Sequence, residues 1–177
     1  GVNLVSTGGL TNTGDVTITS SNSFGAPIAL NGGTLISSNN AALGSGVALN
    51  ISNNATLNVL ASNNVGLVTL ASGNLTGSGV LTNTGLTISG KGNTIGLNLV
   101  STGGLTNTGN LTITSSNSFG GPITLIGVNF ISSNDIYTRT LTAVIPINNA
   151  TLNVLASNKV GLVTLASGNL TGTGVLS

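Results

Sequence analysis

Short runs in which apolar and polar residues alternate recur along the whole chain, and Gly, Asn or Ser bounds each of them. The clearest runs are DVTIT (15–19), GTLIS (33–37), VALNI (47–51), ATLNVL (55–60), VGLVTL (65–70), GVLTN (79–83) and GLTIS (85–89). Alternation at period two predicts half-buried β-strands, and no stretch shows the three- and four-residue spacing of an amphipathic helix. The pattern therefore predicts an all-β protein with short strands.

The chain also repeats itself at long range. A shift of 95 residues aligns residues 1–82 with 96–177 without a gap, and 58 of the 82 pairs are identical. Most differences fall in one window, where AALGSGVALNIS (41–52) becomes IYTRTLTAVIPI (136–147), and even there the length is kept. Stacked repeats need a constant register of this kind. We interpret 1–95 as a first solenoid repeat copy and 96–177 as a second, incomplete copy within one continuous solenoid.

Two all-β architectures compete, an antiparallel sandwich or barrel and a parallel β-helix. Hairpins favour Asn-Gly turns between matched strands, but only the NGG at Asn31 fits, and the second copy lacks it. Short connectors rich in Gly and Asn, which tolerate left-handed backbone, favour a parallel β-helix (β-solenoid) with about three short strands per coil. About eleven strand-like runs per copy predict roughly four coils per copy, about eight coils in the chain and a rod about 40 Å long.

The same pattern assigns side chains to the inside of the stack. We expect Leu, Ile and Val, Leu57 among them, to point inward, while Thr, Ser and Asn point outward or form ladders along the corners. Phe24 and Phe119 occupy equivalent positions in the two copies, so we expect one buried aromatic plug per copy. Pro146 cannot donate to a ladder, which predicts an irregular coil near it.

A family resemblance rests on residues 10–46. They contain a Leu, a Thr-Gly turn, an alternating strand, an Asn before an aromatic residue, a Gly-rich turn, a second strand and then ALGSG (42–46). The residues that carry the pattern are Leu10, Gly14, Val16, Ile18, Asn22, Phe24, Gly25, Ile28, Leu30, Gly32, Gly33 and Leu35. This resembles the passenger-associated transport repeat of bacterial autotransporters, and the second copy follows it from Leu105 to about Gly127. The resemblance implies a right-handed parallel β-helix at the bacterial cell surface or outside the cell.

Composition narrows the classes of function. Charged residues make up 3% of the chain, against about 25% in ordinary domains, and the formal net charge is +1. Three scattered cations cannot form a nucleic-acid-binding surface. The chain has no His, Cys or Glu, and Asp15 and Asp135 lie 120 residues apart. We therefore expect no catalytic residues, no cofactor site, no metal site and no enzymatic activity.

One segment resembles a phosphate-binding motif only in part, and the apolar runs are too short to cross a membrane. GLTISGKG (85–92) has the glycine and lysine spacing of a P-loop, but Gly92 stands where Ser or Thr would bind Mg²⁺, so we interpret it as a turn. No apolar run approaches the roughly 18 to 20 residues that cross a membrane, which predicts no transmembrane segment.

Two main hypotheses for function follow. The first is a structural segment of a secreted surface protein, either an autotransporter-like stalk or a filament in which copies of the chain stack coil on coil. The second is an adhesin that binds a cell-surface ligand. Its candidate contact patch is Asp135, Tyr137 and Arg139, which share a face at strand periodicity. Drift in a duplicated copy is the competing interpretation of that patch. Ice binding is a remote third hypothesis, since Thr-x-Thr pairs such as Thr112 and Thr114 do not recur on every coil.

Overall fold

The computed structural model describes residues 2–138, 143–164 and 167–177, and within these ranges the chain consists of short strands, turns and connecting segments, with no helix. The strands are β1 (Val5–Ser6), β2 (Leu10–Asn12), β3 (Val16–Ile18), β4 (Ser23–Phe24), β5 (Ile28–Leu30), β6 (Thr34–Ser37), β7 (Leu49–Ser52), β8 (Thr56–Val59), β9 (Asn63–Asn64), β10 (Leu67–Ala71), β11 (Asn74–Thr76), β12 (Val80–Asn83), β13 (Gly85–Ser89), β14 (Asn93–Ile95), β15 (Asn98–Ser101), β16 (Leu105–Asn107), β17 (Leu111–Ile113), β18 (Asn117–Phe119), β19 (Ile123–Ile126), β20 (Asn129–Ser132), β21 (Ile136–Thr138), β22 (Ala143–Ile147), β23 (Thr151–Val154), β24 (Leu162–Val163) and β25 (Asn169–Gly172). All seven runs singled out by their alternation contain a strand.

The strands pair in parallel and form the sides of a β-solenoid. Sheet 1 has nine strands in the order β2-β5-β7-β10-β13-β16-β19-β22-β24, and sheet 2 has nine in the order β3-β6-β8-β11-β14-β17-β20-β23-β25. Sheet 3 has five strands in the order β9-β12-β15-β18-β21, and β1 pairs separately with β4. The chain visits sheet 1, sheet 2 and then the third side in each coil. The all-β parallel solenoid is therefore confirmed.

The predicted number of coils was wrong. Five register steps along sheet 1 lead from Leu10 to Leu105, so the 95-residue repeat contains five coils, and the nine strands of sheet 1 give nine coils among the described residues. The described residues 2–95 hold fourteen strands, β1 to β14, where the pattern suggested about eleven in the first copy. Strands as short as Ser23–Phe24 and Asn63–Asn64 contain too few apolar residues to show alternation. At about 4.8 Å per coil the stack is about 40 Å long.

One apolar core runs through both repeat copies. Leu57 is fully buried, and the plugs Phe24 and Phe119 are buried as well, which confirms those three assignments. Residues of both copies belong to the same core cluster because coil 6 stacks directly on coil 5 through β13–β16, β14–β17 and β15–β18. Pro146 lies within β22 in register with Leu125, so the strand itself continues through the proline.

Left-handed backbone marks the corners, as the sequence predicted. Asn53 and Asn54, which connect β7 to β8, have φ of 55° and 59°, and their repeat equivalents Asn148 and Asn149 have φ of 55° and 60°. Asparagine adopts this region at a lower cost than other residues that carry a Cβ. These pairs close equivalent corners in coils 3 and 8.

Sheet 2 contains a register shift at the junction of the two copies. Five steps along sheet 1 lead to the repeat-equivalent residue, but five steps along sheet 2 lead from Val16 to Ile113, two residues beyond its equivalent Leu111. A shift of two residues keeps every side chain on its side of the sheet. The core therefore continues through the junction.

Candidate functional site

The end of the stack that carries coil 1 exposes apolar side chains. Val2 is 88% exposed and Val16 is 42% exposed, and together with Leu4, Leu10 and Ile18 they line an open cavity of about 350 Å³. The outer edges of β2 and β3 have no strand partner on this side among the described residues. We call this surface the coil 1 face. Apolar side chains next to unpaired strand edges are the two features that allow another strand to add to a sheet.

The opposite end of the stack has the same character. Leu162, Leu170 and Val175 are 60%, 46% and 57% exposed, and Leu170 and Leu176 line an open cavity of about 200 Å³. The outer edges of β24 and β25 have no partner on their far side among the described residues. We call this surface the coil 9 face. The two end faces present opposite edges of the same parallel sheets.

Buried asparagines join successive coils, a feature that the hydrophobic pattern did not reveal. The Nδ2 of Asn63 donates to Ala61 O at 2.8 Å, to Asn39 O at 3.1 Å and to Ser37 Oγ at 2.8 Å, while its Oδ1 accepts from Leu43 N at 3.1 Å. Ser37, Asn39 and Leu43 belong to the preceding coil. The side chain of Asn63 therefore connects two coils from inside the core.

Asn158, the equivalent of Asn63 in the second copy, also joins two coils, with a different set of bonds. The Oδ1 of Asn158 accepts from Ile136 N at 2.8 Å and from Ser132 Oγ at 2.9 Å, and its Nδ2 donates to Ala156 O at 2.8 Å. A sequence signal for these corners exists, since a Ser-Asn dipeptide precedes the third side at residues 21–22, 62–63, 116–117 and 157–158. Asn63, Asn117 and Asn158 are buried and Asn22 is half-buried, and because they lie on coils 1, 3, 6 and 8 they do not form a continuous ladder.

The interior otherwise offers little free space. A cavity of about 20 Å³ lies between Phe130, Ile136, Leu152 and Val160 in the second copy, with a mostly apolar lining. That volume is close to the room that one water molecule needs. The inside of the solenoid is a packed core, so the surfaces that can meet other molecules are the end faces and the sides.

The outer side of sheet 1 carries a column of threonines. Thr69, Thr87, Thr106 and Thr124 follow one another in register on four successive coils, beside a groove of about 320 Å³ that Gly85, Gly104 and Pro122 also line. On sheet 2, Thr112 lies between Thr94 and Ile131, so the Thr112–Thr114 pair has no continuous paired neighbours. Among the described residues this threonine column extends over four coils, and no second column of equal length runs beside it to give the paired array that we expect of an ice-binding face.

The candidate contact patch is only partly described. Asp135 is half-buried, its amide donates to Asn134 Oδ1 at 2.7 Å, and its carbonyl accepts from Asn117 N at 3.1 Å. The backbone of Tyr137 lies in β21, in register with Ser118. Arg139 lies outside the described residues. The grouping of Asp135, Tyr137 and Arg139 into one patch stays a prediction.

Two other charged residues, Asp15 and Lys91, lie at corners between sheet 1 and sheet 2. The Oδ1 of Asp15 accepts from Thr34 N at 2.8 Å, and the amide oxygen of its equivalent Asn110 accepts from Asn129 N at 3.3 Å, so a neutral side chain makes the same contact. Lys91 lies in the corner between β13 and β14, where its amide donates to Ser72 Oγ at 3.1 Å. The GLTISGKG segment is a strand followed by a corner.

These features define the described part of the chain as a parallel β-solenoid whose outermost coils, 1 and 9, carry exposed apolar side chains. In the part of the chain that the structure describes, no helix has the length and apolar character needed to cross a membrane. Comparison with models of known protein families, with curated proteins and with solved structures finds no match to this chain.

Proposed function

We propose that this chain is a non-enzymatic structural segment of a secreted bacterial surface protein, which extends as a stalk or assembles as a filament by stacking coil on coil. The observation that carries the proposal is the junction between the two copies. There, coil 6 stacks on coil 5 through all three sides, and the core continues without interruption. A fold that grows by adding coils is suited to building length.

The sides of the stack support the same proposal. The outward column on sheet 1 at coils 4 to 7 consists of uncharged threonines, and the described charged residues Asp15, Lys91, Asp135 and Lys159 lie on different coils. Surfaces with few charges repel copies of themselves weakly. The sides therefore suit a spacer, and the end faces are the places where the stack can continue.

Electron microscopy of the purified chain at physiological salt tests the structural part of the proposal. Continuous fibres about 20 to 30 Å wide with an axial reflection near 4.8 Å would identify a filament, because coil stacking would then pass between chains. Separate rods about 40 Å long would identify a stalk segment. Compact particles without an elongated axis would contradict both forms of the proposal.

Cellular location needs a separate experiment. The extracellular or cell-surface location rests on the resemblance of residues 10–46 to the autotransporter passenger repeat. Antibodies against the purified chain should label intact producing cells, and external protease should remove the label. Labelling that needs permeabilised cells would contradict surface display while leaving the structural role in place.

A further inference from the structure

The corner between β5 and β6 holds the single Asn-Gly dipeptide of the chain, Asn31-Gly32. Its main chain is bound on both sides. Asn31 N donates to Asn12 O of coil 1 at 2.8 Å, and Gly33 O accepts from Thr56 N of coil 3 at 2.9 Å. Because both neighbouring coils are described, the surroundings of this dipeptide do not depend on where the chain begins or ends.

The corner needs glycine but does not need asparagine. Gly32 has φ of 145° and Gly33 has φ of 64°, backbone conformations that residues with a Cβ rarely adopt. In the second copy Gly127 keeps the glycine, with φ of 65°, whereas Ile126 stands in the place of Asn31. The asparagine before the glycine is therefore a feature of the first copy alone.

The side chain of Asn31 is bound to a serine of the next coil. Ser52 Oγ of coil 3 donates to Asn31 Oδ1 at 2.9 Å. In the second copy the equivalent positions are occupied by Ile126 and Ile147, which are in register with each other. An Asn–Ser pair in one copy and an Ile–Ile pair in the other thus hold the same place in the coil, so the fold does not require the polar pair.

Three features of this corner match what an attack by the main chain on the side-chain amide requires. The nucleophile, Gly32 N, donates a hydrogen bond to no described residue. The leaving group, Asn31 Nδ2, also donates to none of them, and the side chain is exposed to water. The Ser52 hydroxyl donates to the oxygen on which negative charge forms during the attack.

We propose that Asn31-Gly32 is a self-modifying site, at which Gly32 N attacks Asn31 Cγ and the Ser52 hydroxyl stabilises the negative charge on Oδ1. The Cγ–Nδ2 bond then breaks, the proton of Gly32 N passes through water to the leaving nitrogen, and ammonia departs from a succinimide ring. Water opens this ring. Opening at Cγ gives aspartate, and opening at the main-chain carbonyl carbon gives isoaspartate, so that one water is consumed for each ammonia released.

The products change the corner in two ways. Both carry a carboxylate in place of the amide, which lowers the formal net charge of the chain from +1 to zero. Isoaspartate also continues the main chain through its side-chain carbon, which lengthens the corner by one atom between its bonds to coil 1 and coil 3. The inference goes beyond the proposed function, since the modification needs neither assembly nor a location outside the cell.

Asn22-Ser23 provides a contrast within the same copy. Asn22 Nδ2 donates to Ser20 O at 3.0 Å and to Ala42 O at 2.9 Å, and Ser23 N donates to Leu4 O at 2.9 Å. The leaving group and the nucleophile are therefore both held. Three hydrogen bonds have to break before this amide nitrogen can attack, so we expect Asn22 to be protected.

The test incubates the folded full chain in a mildly alkaline buffer made with water that is labelled with heavy oxygen, beside blocked peptides of residues 28–35 and 19–26. Mass spectrometry with fragmentation locates each converted asparagine, and the incorporated heavy oxygen shows that hydrolysis took place. An isoaspartate methyltransferase detects the isoaspartate product. The peptides give the rate of each dipeptide without a fold, and melting curves recorded before incubation show that the chain is folded.

The expected result is conversion of Asn31 to both products at a rate within about tenfold of its peptide, because one side-chain hydrogen bond is worth at most about a factor of ten. Asn22 should be converted about a hundredfold more slowly than its own peptide, since three hydrogen bonds hold its dipeptide. Conversion of Asn31 more than about tenfold more slowly than its peptide would overturn the proposal, and so would equal slowing of the two asparagines.

Substitutions at Ser52 test the role of the hydroxyl. Ser52→Ala should slow the conversion of Asn31 about three- to tenfold, whereas Ser52→Thr keeps a hydroxyl and should react like the parent chain. The second copy carries Ile147 at the equivalent position, so the corner accepts a residue without a hydroxyl. Unchanged or faster conversion in Ser52→Ala would overturn the assignment of the hydroxyl. Asn31→Ile copies the second repeat and should abolish the signal, and a signal that persists within residues 28–35 would overturn the site.

Discussion

Replacing Asn63 by leucine distinguishes two accounts of what joins the coils. In sheet 3, Asn63 is in register with Leu81, so the position next to it already accommodates leucine. If apolar burial alone decided stability, the Asn63→Leu variant would be more stable than the parent, since a buried leucine contributes about 1.5 to 3 kcal/mol relative to an exposed one. If the buried hydrogen bonds of Asn63 contribute more to the free energy of unfolding than a buried leucine does, the variant will be less stable. The sign of the change separates the two accounts.

The magnitude follows from the bonds that the substitution removes. The side chain of Asn63 takes part in four hydrogen bonds, and each is worth about 0.5 to 1.5 kcal/mol net. Loss of its Oδ1 also leaves the amide of Leu43 without an acceptor inside the core, which costs about 1 to 3 kcal/mol. The two Nδ2 protons account for two full donated bonds, about 2 kcal/mol, and the orphaned amide, which replaces the bond to Leu43, adds about 2 kcal/mol, so the losses come to about 4 kcal/mol. After the gain from burying leucine, we expect a net loss of about 2 kcal/mol.

Thermal unfolding followed by circular dichroism measures this loss. For a chain of 177 residues, about 2 kcal/mol corresponds to a decrease in Tm of roughly 4 to 8 °C. Asn50→Leu is the control because Asn50 is exposed on the outer side of sheet 1, and its Tm should change little. An unchanged or higher Tm for Asn63→Leu would refute the view that buried asparagine corners hold the coils together.

Three further substitutions test other parts of the structure by the same melting assay. Leu57→Asp should abolish cooperative folding because it buries an unpaired charge, while Thr56→Asp on the outward side should cost less than about 1 kcal/mol; a normal melt for Leu57→Asp would contradict the inward assignment. Gly77→Ala should cost about 2 to 4 kcal/mol, since φ is +121° and a Cβ would lie 2.1 Å from a carbonyl oxygen, whereas the Cβ of Gly14→Ala would meet nothing within 4 Å; equal costs would argue against the close approach. Asp15→Asn should leave Tm unchanged, because the equivalent residue of the second copy is already an asparagine that makes the same contact, and a loss above about 1 kcal/mol would mean that the charge itself matters.

The sequence predicts the fold where hydrophobic alternation is long enough to show. Runs such as Leu67–Ala71 and Gly85–Ser89 span five residues, so two apolar positions in each mark the inward side. The third side of the coil is different. Asn63–Asn64 has no apolar residue, and its place in the stack depends on side-chain hydrogen bonds to the preceding coil. Hydropathy cannot detect such a strand, and the coil count was therefore too low.

The sequence predicts the candidate sites less well than it predicts the fold. Tyr137 and Arg139 attract notice because they are the single tyrosine and arginine of the chain, but rarity in a sequence does not show that two side chains lie together. The end faces carry no unusual residue at all. Leu10 and Leu105 are identical in type and repeat position, yet Leu105 is buried and Leu10 is partly exposed. Exposure here depends on the neighbouring coil, which a pattern of single residues does not contain.

The period of 95 residues follows from the geometry of the stack. A duplication can extend a solenoid without disturbing it only if it adds a whole number of coils, because a partial coil would place strands of sheet 1 against those of sheet 2. Five coils satisfy this condition, and sheet 1 returns to the equivalent residue at Leu105. In sheet 2 the same five steps lead from Val16 to Ile113, two residues beyond the repeat equivalent Leu111. Because the shift is an even number of residues, side chains that point into the core still do so after the junction. A shift of one residue at the same junction would turn the apolar column outward. The two copies therefore tolerate changes of side chain on the surface far better than any change of one residue in length.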